Sequence, residues 1–498
     1  MSFRPSLEKL SNRTQEDAWS SSFRPSPNET LQEKMDRISK QQEAARISKE
    51  IDDTIEKSKK ILEKRNRAVK VLLLGQAESG KSTMLRNFQL AFCPNYFQKE
   101  VSIWKTVIQL NIIGSVKKLL SIIEDELESQ GNRSLASARS RSHLIPKPPP
   151  SESQSQGNED PPLTSHHAAL RLRLLPLLSI ETNLNRQLLP DAGGAGRDSG
   201  EICVRAGGEW KSVLAKVSGV DGGDVLPSEQ QQSGRRKPSV DASYPYHRST
   251  RPHPSDPTPL LHVLTEDIHT LWTDPAVQAL LKRRGVRMEQ SAGFFLNDVS
   301  RIGKSDWTPA FEDIVRARVR TFGVEEHKFS TDSGTEWYIY DVGGSRSMRH
   351  QWVPYFEDVQ AIIFLAPLVF NQVLDEDRMV NRLEDSVHLW KQVCSNRLLE
   401  RANIILFLNK MDILEATLKA GVRVQTYVPS YGDLPNEVES VVKYFKDKFR
   451  GYHKRLSPKA RTFFCHETSA IDIKATQAVL LGVREGILRR HLEEMKVI

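Results

Sequence analysis

Residues 69–82 read VKVLLLGQAESGKS, and this stretch decides the fold of the chain. The apolar run at 69–74 predicts a buried strand, and the glycine-rich loop that follows it leads into a helix. Such a loop points backbone amides at phosphate oxygens, while a lysine adds a cation and a serine hydroxyl suits magnesium. The alternative is a strand-loop-helix corner that matches by chance. We predict a nucleoside phosphate site made by Glu78, Ser79, Gly80, Lys81, Ser82 and Thr83.

Further strand-like runs lie at 337–341, 361–366, 403–409 and 462–466, with helical segments between them. This alternation is typical of a parallel α/β sheet. Residues 69–92 and 316–498 are therefore predicted to form one domain that is interrupted by an insertion.

The insertion is predicted to contain an all-helical domain, because residues 93–130 and 261–315 carry apolar side chains at helical spacing. Between them, residues 131–260 are rich in Ser, Pro, Gly, Gln and Arg, which favours a mostly disordered, low-complexity insert. One island at 168–188 has enough leucine to form a helix, although Pro176 is expected to interrupt it.

The N-terminal part is predicted to contain a disordered tail, residues 1–29, followed by an amphipathic helix at 30–68. Thr30 and Glu33 have the spacing of a capping box, which marks the start of the helix. The apolar stripe of this helix either packs on the body of the protein or binds a partner, and the pattern alone does not separate the two.

Composition excludes some classes of protein. The 498 residues include four cysteines without a Cys-x-x-Cys pair, which argues against a disulfide scaffold and a zinc ribbon. The net charge of +8 is diffuse, and no apolar run is expected to span a bilayer. No secretory signal is recognisable, so a cytoplasmic location is expected.

The base is predicted from a second motif, Asn409-Lys410-Met411-Asp412, which follows the strand-like run at 403–409. A carboxylate at 412 can accept hydrogen bonds from both the ring N–H and the exocyclic amine of guanine, which adenine cannot offer. Later in the chain, the backbone amide of Ala470 is placed to meet the guanine oxygen. These residues favour GTP and GDP over adenine nucleotides.

Asp341-Val342-Gly343-Gly344 completes a set of motifs in which the chain resembles heterotrimeric G-protein alpha subunits. The resemblance covers roughly residues 44–127 and 265–490. It implies an α/β fold in which a P-loop GTPase parallel-type sheet carries an inserted all-helical domain, with an N-terminal helix and a long disordered insert added.

The resemblance also implies roles for single residues. Arg318 matches the arginine that this family supplies to the γ-phosphate, a role the family is known for rather than one derived from the sequence. Thr321 matches the switch threonine that binds Mg²⁺ together with Ser82. The other implied nucleotide contacts are Ser291, Val315, Arg316, Asp341, Gly344, Asn409, Lys410, Asp412 and Ala470.

Two departures from the family concern hydrolysis. Ser345 stands where the family has the glutamine that orients the attacking water, and serine is too short to reach the same water. Ala77 replaces a P-loop glycine close to the γ-phosphate. We predict a GTPase that hydrolyses GTP slowly, with Arg318 and the Ser345 position as its catalytic residues; the alternative is a nucleotide-bound signalling adaptor with negligible GTPase activity.

The family resemblance implies partners as well. A beta-gamma dimer is expected on the face that includes Trp352 and Phe356, unless these aromatics only fill the core. A G protein-coupled receptor is expected at the C-terminal helix, and an unidentified effector at the switch segments. Ser2 precludes N-myristoylation, so contact with the inner face of the plasma membrane is expected to be peripheral. Nucleic acid is not an expected partner, because no aromatic residues lie among the basic runs.

Overall fold

The computed structural model describes residues 30–93, 96–140, 161–188, 202–205, 207, 209–218, 255–330 and 335–494. Outside these ranges lie the tail at 1–29, which includes Ser2, the C-terminal residues 495–498, and most of the insert that was predicted to be disordered.

The described residues up to Ala68 form a compact unit of their own, which consists of helix α1 (Leu31–Arg67). The predicted capping box is present: the Thr30 amide donates to the Glu33 carboxylate at 2.9 Å, and the Glu33 amide donates to the Thr30 hydroxyl at 3.3 Å. Both interpretations of its apolar stripe stay predictions.

The second unit begins at Val69. Its strands are β1 (Val69–Leu74), β2 (Cys203–Arg205), β3 (Arg320–Phe322), β4 (Val324–Ser330), β5 (Glu336–Val342), β6 (Ala361–Pro367), β7 (Asn403–Asn409) and β8 (Phe464–Glu467). Its α-helices are α2 (Lys81–Phe92), α3 (Val101–Ser140), α4 (Ser165–Leu188), α5 (Glu209–Val217), α6 (Thr258–Thr273), α7 (Pro275–Arg283), α8 (Val299–Ile302), α9 (Phe311–Arg316), α10 (Arg382–Ser395), α11 (Met411–Lys419), α12 (Val424–Tyr427), α13 (Val438–Leu456) and α14 (Ile473–Glu494).

The main sheet has the strand order β4-β5-β1-β6-β7-β8 and is parallel except for β4. All residues of β1 and β6 are buried, which explains why both are apolar apart from Lys70, whose ammonium pairs with Asp358 at 2.8 Å. The predicted fold class is confirmed. β4 was not predicted from the sequence: it is antiparallel, and four consecutive polar or charged residues, 325–328, separate Val324 from Phe329.

The helical domain has its own core, in which α3 and α6 bury apolar side chains such as Ile112, Leu119, Leu261 and Ile268. By length and composition, the helical stretch Phe97–Gln130 is long and apolar enough to cross a bilayer, contrary to the sequence expectation. Most of it is buried among the other helices, as in the core helix of a soluble domain.

Part of the insert predicted to be low-complexity is packed. Helix α4 buries Leu170, Leu174, Leu177 and Leu184 in the core of the helical domain. The expectation that Pro176 interrupts this helix is wrong, because α4 continues through it. Burial of four leucines, at about 1.5–3 kcal/mol each, outweighs the roughly 3 kcal/mol that a proline costs inside a helix.

Candidate functional site

The glycine-rich loop joins β1 to α2 and lies at the carboxyl end of the sheet, where open α/β sheets bind ligands. Gly80 has φ +100°, and a side chain there would come closer than 3.0 Å to the Asn409 amide nitrogen. Gly344 lies against the backbone of Gln76 and Ala77, which also leaves no space for a Cβ. The two glycines therefore allow a close approach of backbone around one cavity.

That cavity has a volume of about 550 Å³. Among the predicted nucleotide residues, it is lined by Glu78, Gly80, Lys81, Ser82, Thr83, Ser291, Arg316, Arg318, Thr321, Gly344, Asn409, Lys410, Asp412 and Ala470, together with Ala77 and Ser345. Three predicted residues do not line it: Ser79, Val315 and Asp341. Ser79 and Asp341 are buried beside the lining residues, and Val315 packs in the helical core.

Arg316 lines the cavity but its guanidinium is used elsewhere. It donates to the Phe294 carbonyl at 3.0 Å and pairs with Asp298 at 3.2 Å. Its side chain thus joins α9 to the segment at 294–298, and any contact with a nucleotide would involve the backbone.

Asn409 holds three parts of the site together at the guanine end. Its side-chain amide donates to the Ser79 carbonyl at 2.8 Å, and its oxygen accepts from the Ala470 amide and the Thr468 hydroxyl, both at 3.1 Å. The carboxylate of Asp412 accepts a hydrogen bond from the Ser469 hydroxyl. The motif at 409–412 and the loop at 468–470 are therefore one structural corner.

A cluster of oxygen atoms lies beside the loop lysine. The Ser82 hydroxyl donates to Asp341 Oδ2 at 2.6 Å, while Asp341 Oδ1 is buried without a hydrogen-bond partner among the described residues. Burial raises the pKa of Asp341, and the nearby Lys81 ammonium opposes this effect. An orphaned carboxylate oxygen next to a hydroxyl, with Thr321 on the same cavity wall, is the donor chemistry that Mg²⁺ prefers.

Two lysines of the site have pKa values well below the usual value for lysine. Burial lowers the pKa of Lys81 to about 8, although Asp341 opposes the shift. Burial likewise lowers the pKa of Lys410 to about 8. The Lys81 ammonium donates to the Gly75 and Gln76 carbonyls at 2.9 and 2.8 Å. A phosphate anion would compensate the buried charge of such a lysine far better than these carbonyls.

Arg318 is held from two sides. The Asn111 side chain of α3 accepts from the Arg318 amide at 2.7 Å and donates to its carbonyl at 2.9 Å. The Arg318 guanidinium lies 3.5 Å from Glu78, which also pairs with Arg382 at 3.3 Å. Burial alone would raise the pKa of Glu78, but the attraction of Arg318, Arg382 and Lys410 prevails and lowers it to about 2.

Three residues around the site were not predicted: Asn111, Arg382 and the buried Arg86, which donates to the carbonyls of residues 314, 315 and 317. No motif includes these residues, and each acts across a gap of more than 200 positions. A polar side chain at 111 within the apolar period of α3 was the only available signal.

Trp352 and Phe356 are both buried, which agrees with the interpretation that they fill the core. Trp352 Nε1 donates to the Gly343 carbonyl at 3.0 Å. Ser345 is also buried, and its carbonyl accepts from the Met348 amide at 3.0 Å. The segment after Gly344 is also held by ion pairs, because Arg346 contacts Asp377 and Arg349 contacts Asp385.

Comparisons with known proteins agree with this geometry. The sequence model described as "G-protein alpha subunit" matches residues 45–487. The chain is 31% identical to the guanine nucleotide-binding protein alpha-4 subunit of Mycosarcoma maydis, over 86% of this chain and 84% of that protein. It is 34% identical to the alpha-15 subunit of Caenorhabditis elegans, over 51% of this chain and 71% of that protein, and 35% identical to the alpha-3 subunit of the same organism, over 46% and 64%.

A phosphate loop and a guanine-type corner line one cavity, the main sheet is parallel except for β4, and the family match spans most of the sequence. This chain belongs to the family of G-protein alpha subunits.

Proposed function

We propose that this guanine nucleotide-binding alpha subunit is a GTP/GDP switch that hydrolyses GTP slowly. The observation that carries the proposal is the single cavity that brings Lys81, Arg318 and Asp412 together. These side chains supply, in that order, a cation for the phosphates, a second cation for the γ-phosphate and an acceptor for guanine.

Magnesium is proposed to bind beside the phosphates, held by Ser82 and Thr321. The support is the buried oxygen of Asp341 that has no hydrogen-bond partner among the described residues, next to the Ser82 hydroxyl. When bound, Mg²⁺ would neutralise part of the phosphate charge. Asp341 would hold a water of that ion rather than bind it directly.

Hydrolysis is proposed to depend on Arg318. Charge shifts among the phosphate oxygens during cleavage, and a planar guanidinium placed beforehand can meet two of them. The Asn111 hydrogen bonds fix the backbone of Arg318, so that little reorganisation is needed. The guanidinium lies 3.5 Å from Glu78, so a γ-phosphate would compete with this carboxylate for it.

Slow turnover is proposed because no long polar side chain is available at position 345. A glutamine there would orient the attacking water. The side chain of Ser345 is two carbon atoms shorter than that of glutamine, and the residue is buried. Ala77 adds a methyl group to the loop next to the phosphate subsite. Both changes leave the contacts for binding GTP in place.

The test is single-turnover hydrolysis of GTP loaded on the purified full chain with magnesium. We expect Ser345→Gln to cleave GTP faster than the wild type, and Arg318→Ala to cleave it more slowly. Ser347→Gln is the matched control, because Ser347 is exposed two residues away. Equal rates for the wild type and Ser345→Gln would remove the support for slow turnover. Intact GTP in both the wild type and Ser345→Gln would favour the adaptor.

A receptor is proposed to act through α14. A beta-gamma dimer is proposed to bind the face that includes Trp352 and Phe356. In support of the receptor route, α14 packs on α2, the helix that starts at Lys81. The Asn87 side chain of α2 donates to the Ala470 carbonyl at 2.8 Å, so a shift of α14 would reach both ends of the nucleotide. We propose a location at the inner face of the plasma membrane, through these partners.

A further inference from the structure

A short strand of the insert pairs with the segment that carries two site residues. β2 runs parallel to β3, with Cys203 opposite Arg320, Val204 opposite Thr321 and Arg205 opposite Phe322. The Arg320 amide donates to the Ile202 carbonyl at 2.8 Å. The residue proposed to bind magnesium, Thr321, therefore lies on a strand whose partner comes from the insert.

The pairing is not a loose surface contact. Ile202, Cys203 and Val204 are all buried, with exposed fractions of 2%, 3% and 0%. β2 packs against α4 and α5, which contribute Leu214 and other apolar side chains to the core of the helical domain. Since two isolated three-residue strands are not stable in water, the buried apolar contacts must hold them together.

Helix α5 joins this part of the insert to α3 and to Glu100, the residue directly before α3. Lys211 pairs with Glu100 at 2.7 Å, and both side chains are almost buried, with exposed fractions of 12% and 8%. The Trp210 ring meets the Trp104 ring edge to face, with centroids 6.2 Å apart. At the end of the helix, the Ser218 hydroxyl donates to the Ser102 carbonyl at 3.2 Å.

The paired segment is fixed on its other side by the site itself. The Gly343 amide donates to the Gly323 carbonyl at 2.9 Å, and Arg318 is held by Asn111. Residues 318–322 thus lie between the helical domain, the segment at 343 and the insert strand. A segment bound on three sides loses its conformational entropy when the protein folds, so ligand binding does not have to order it.

We propose that the insert residues 202–205 and 209–218, here called the insert clamp, position Arg318 and Thr321 for the nucleotide reaction. The clamp holds residues 318–322 in order when GDP is bound as well as when GTP is bound, so that the γ-phosphate and magnesium are not needed to order them. This role rests on the proposed function, in which Arg318 and Thr321 meet the phosphates and the ion.

The first measurement is amide hydrogen exchange of the GDP-bound full chain, followed by mass spectrometry of peptides that span 318–322. Lys211→Gln removes the ion pair that fastens α5, and Val204→Pro removes a backbone donor from β2. We expect either variant to accelerate exchange of these amides at least tenfold. Lys211→Arg should restore slow exchange, and Lys216→Gln, which removes an exposed lysine of the same helix, should have no effect.

The second measurement is the magnesium concentration that gives half-maximal single-turnover hydrolysis of GTP. We expect it to rise several-fold in Lys211→Gln but not in Lys216→Gln. A loss of packing alone would not change the magnesium requirement, so this readout separates positioning from general stability.

The outcomes are distinct. Unchanged exchange at 318–322 in both Lys211→Gln and Val204→Pro would overturn the clamp. Faster exchange with an unchanged magnesium requirement would overturn its role in positioning. If no variant hydrolyses GTP, the proposed function fails, while hydrogen exchange still decides whether the clamp holds the segment.

Discussion

Glu325 on β4 carries a partly buried charge, with its side chain 15% exposed, and removal of this charge should stabilise the protein. Burial raises the pKa of this carboxyl to about 7 from the usual 4.5, and the nearby Lys211 ammonium only partly opposes the shift. Its strand neighbour across the pair is Asp341, which adds repulsion. The folded protein therefore binds the Glu325 proton more tightly than the unfolded chain does.

The sign of the effect follows from proton linkage. Between pH 4.5 and 7 the folded state holds more protons at Glu325 than the unfolded state, so stability falls as the pH rises through this window. Above it, the full cost of the buried charge is present. A pKa that rises from 4.5 to about 7, at about 1.4 kcal/mol per unit, gives an upper estimate of about 3.5 kcal/mol.

Glu325→Gln cannot ionise and should avoid this loss. In urea denaturation we expect the variant to be more stable than the wild type by about 1–3 kcal/mol at pH 8, and by nearly nothing at pH 4.5. The control is Glu326→Gln, an exposed neighbour on the same strand, whose effect should stay within about 0.5 kcal/mol. A Glu325→Gln protein that is no more stable than the wild type at pH 8 would refute the reasoning.

Three further predictions concern the nucleotide site. The pKa of Lys81 is about 8 and should rise when a phosphate binds beside it, so GDP should bind with proton uptake near pH 8.5 and with an affinity that falls as the pH rises. Calorimetry in two buffers of different ionisation enthalpy measures the uptake. Guanosine, which lacks phosphate, should show none. Asn111→Asp loses the donor to the Arg318 carbonyl and should slow single-turnover hydrolysis about 10- to 100-fold without weakening GDP binding, whereas an unchanged rate would mean that this hydrogen bond does not matter. Gly80→Ala should weaken GDP binding at least tenfold in a titration, since a side chain there has neither the backbone conformation nor the space; Gly451→Ala, in an open helical position, should bind GDP as the wild type does.

The sheet was largely predictable because its buried strands are marked by local sequence. β6 is a continuous apolar run, β1 is apolar except for Lys70, and β7 is apolar between its two terminal asparagines; β7 was predicted with the bounds that the structure gives. β4 was not predictable in the same way, because an edge strand with one solvent-facing side carries charges that resemble a loop. Helix α4 was predicted only as an island interrupted at Pro176 within a mostly disordered insert, because the composition was averaged over the whole insert.

The sequence by itself determined the phosphate loop, the guanine motif and the family, because these depend on a few residues at fixed local spacing. Only the tertiary structure decided what holds these residues in place: Asn111 on Arg318, Asn409 between two loops, and β2 beside Thr321. Such contacts join positions that are tens to hundreds of residues apart. They are set by which surfaces the folded chain buries together, and no local pattern records that.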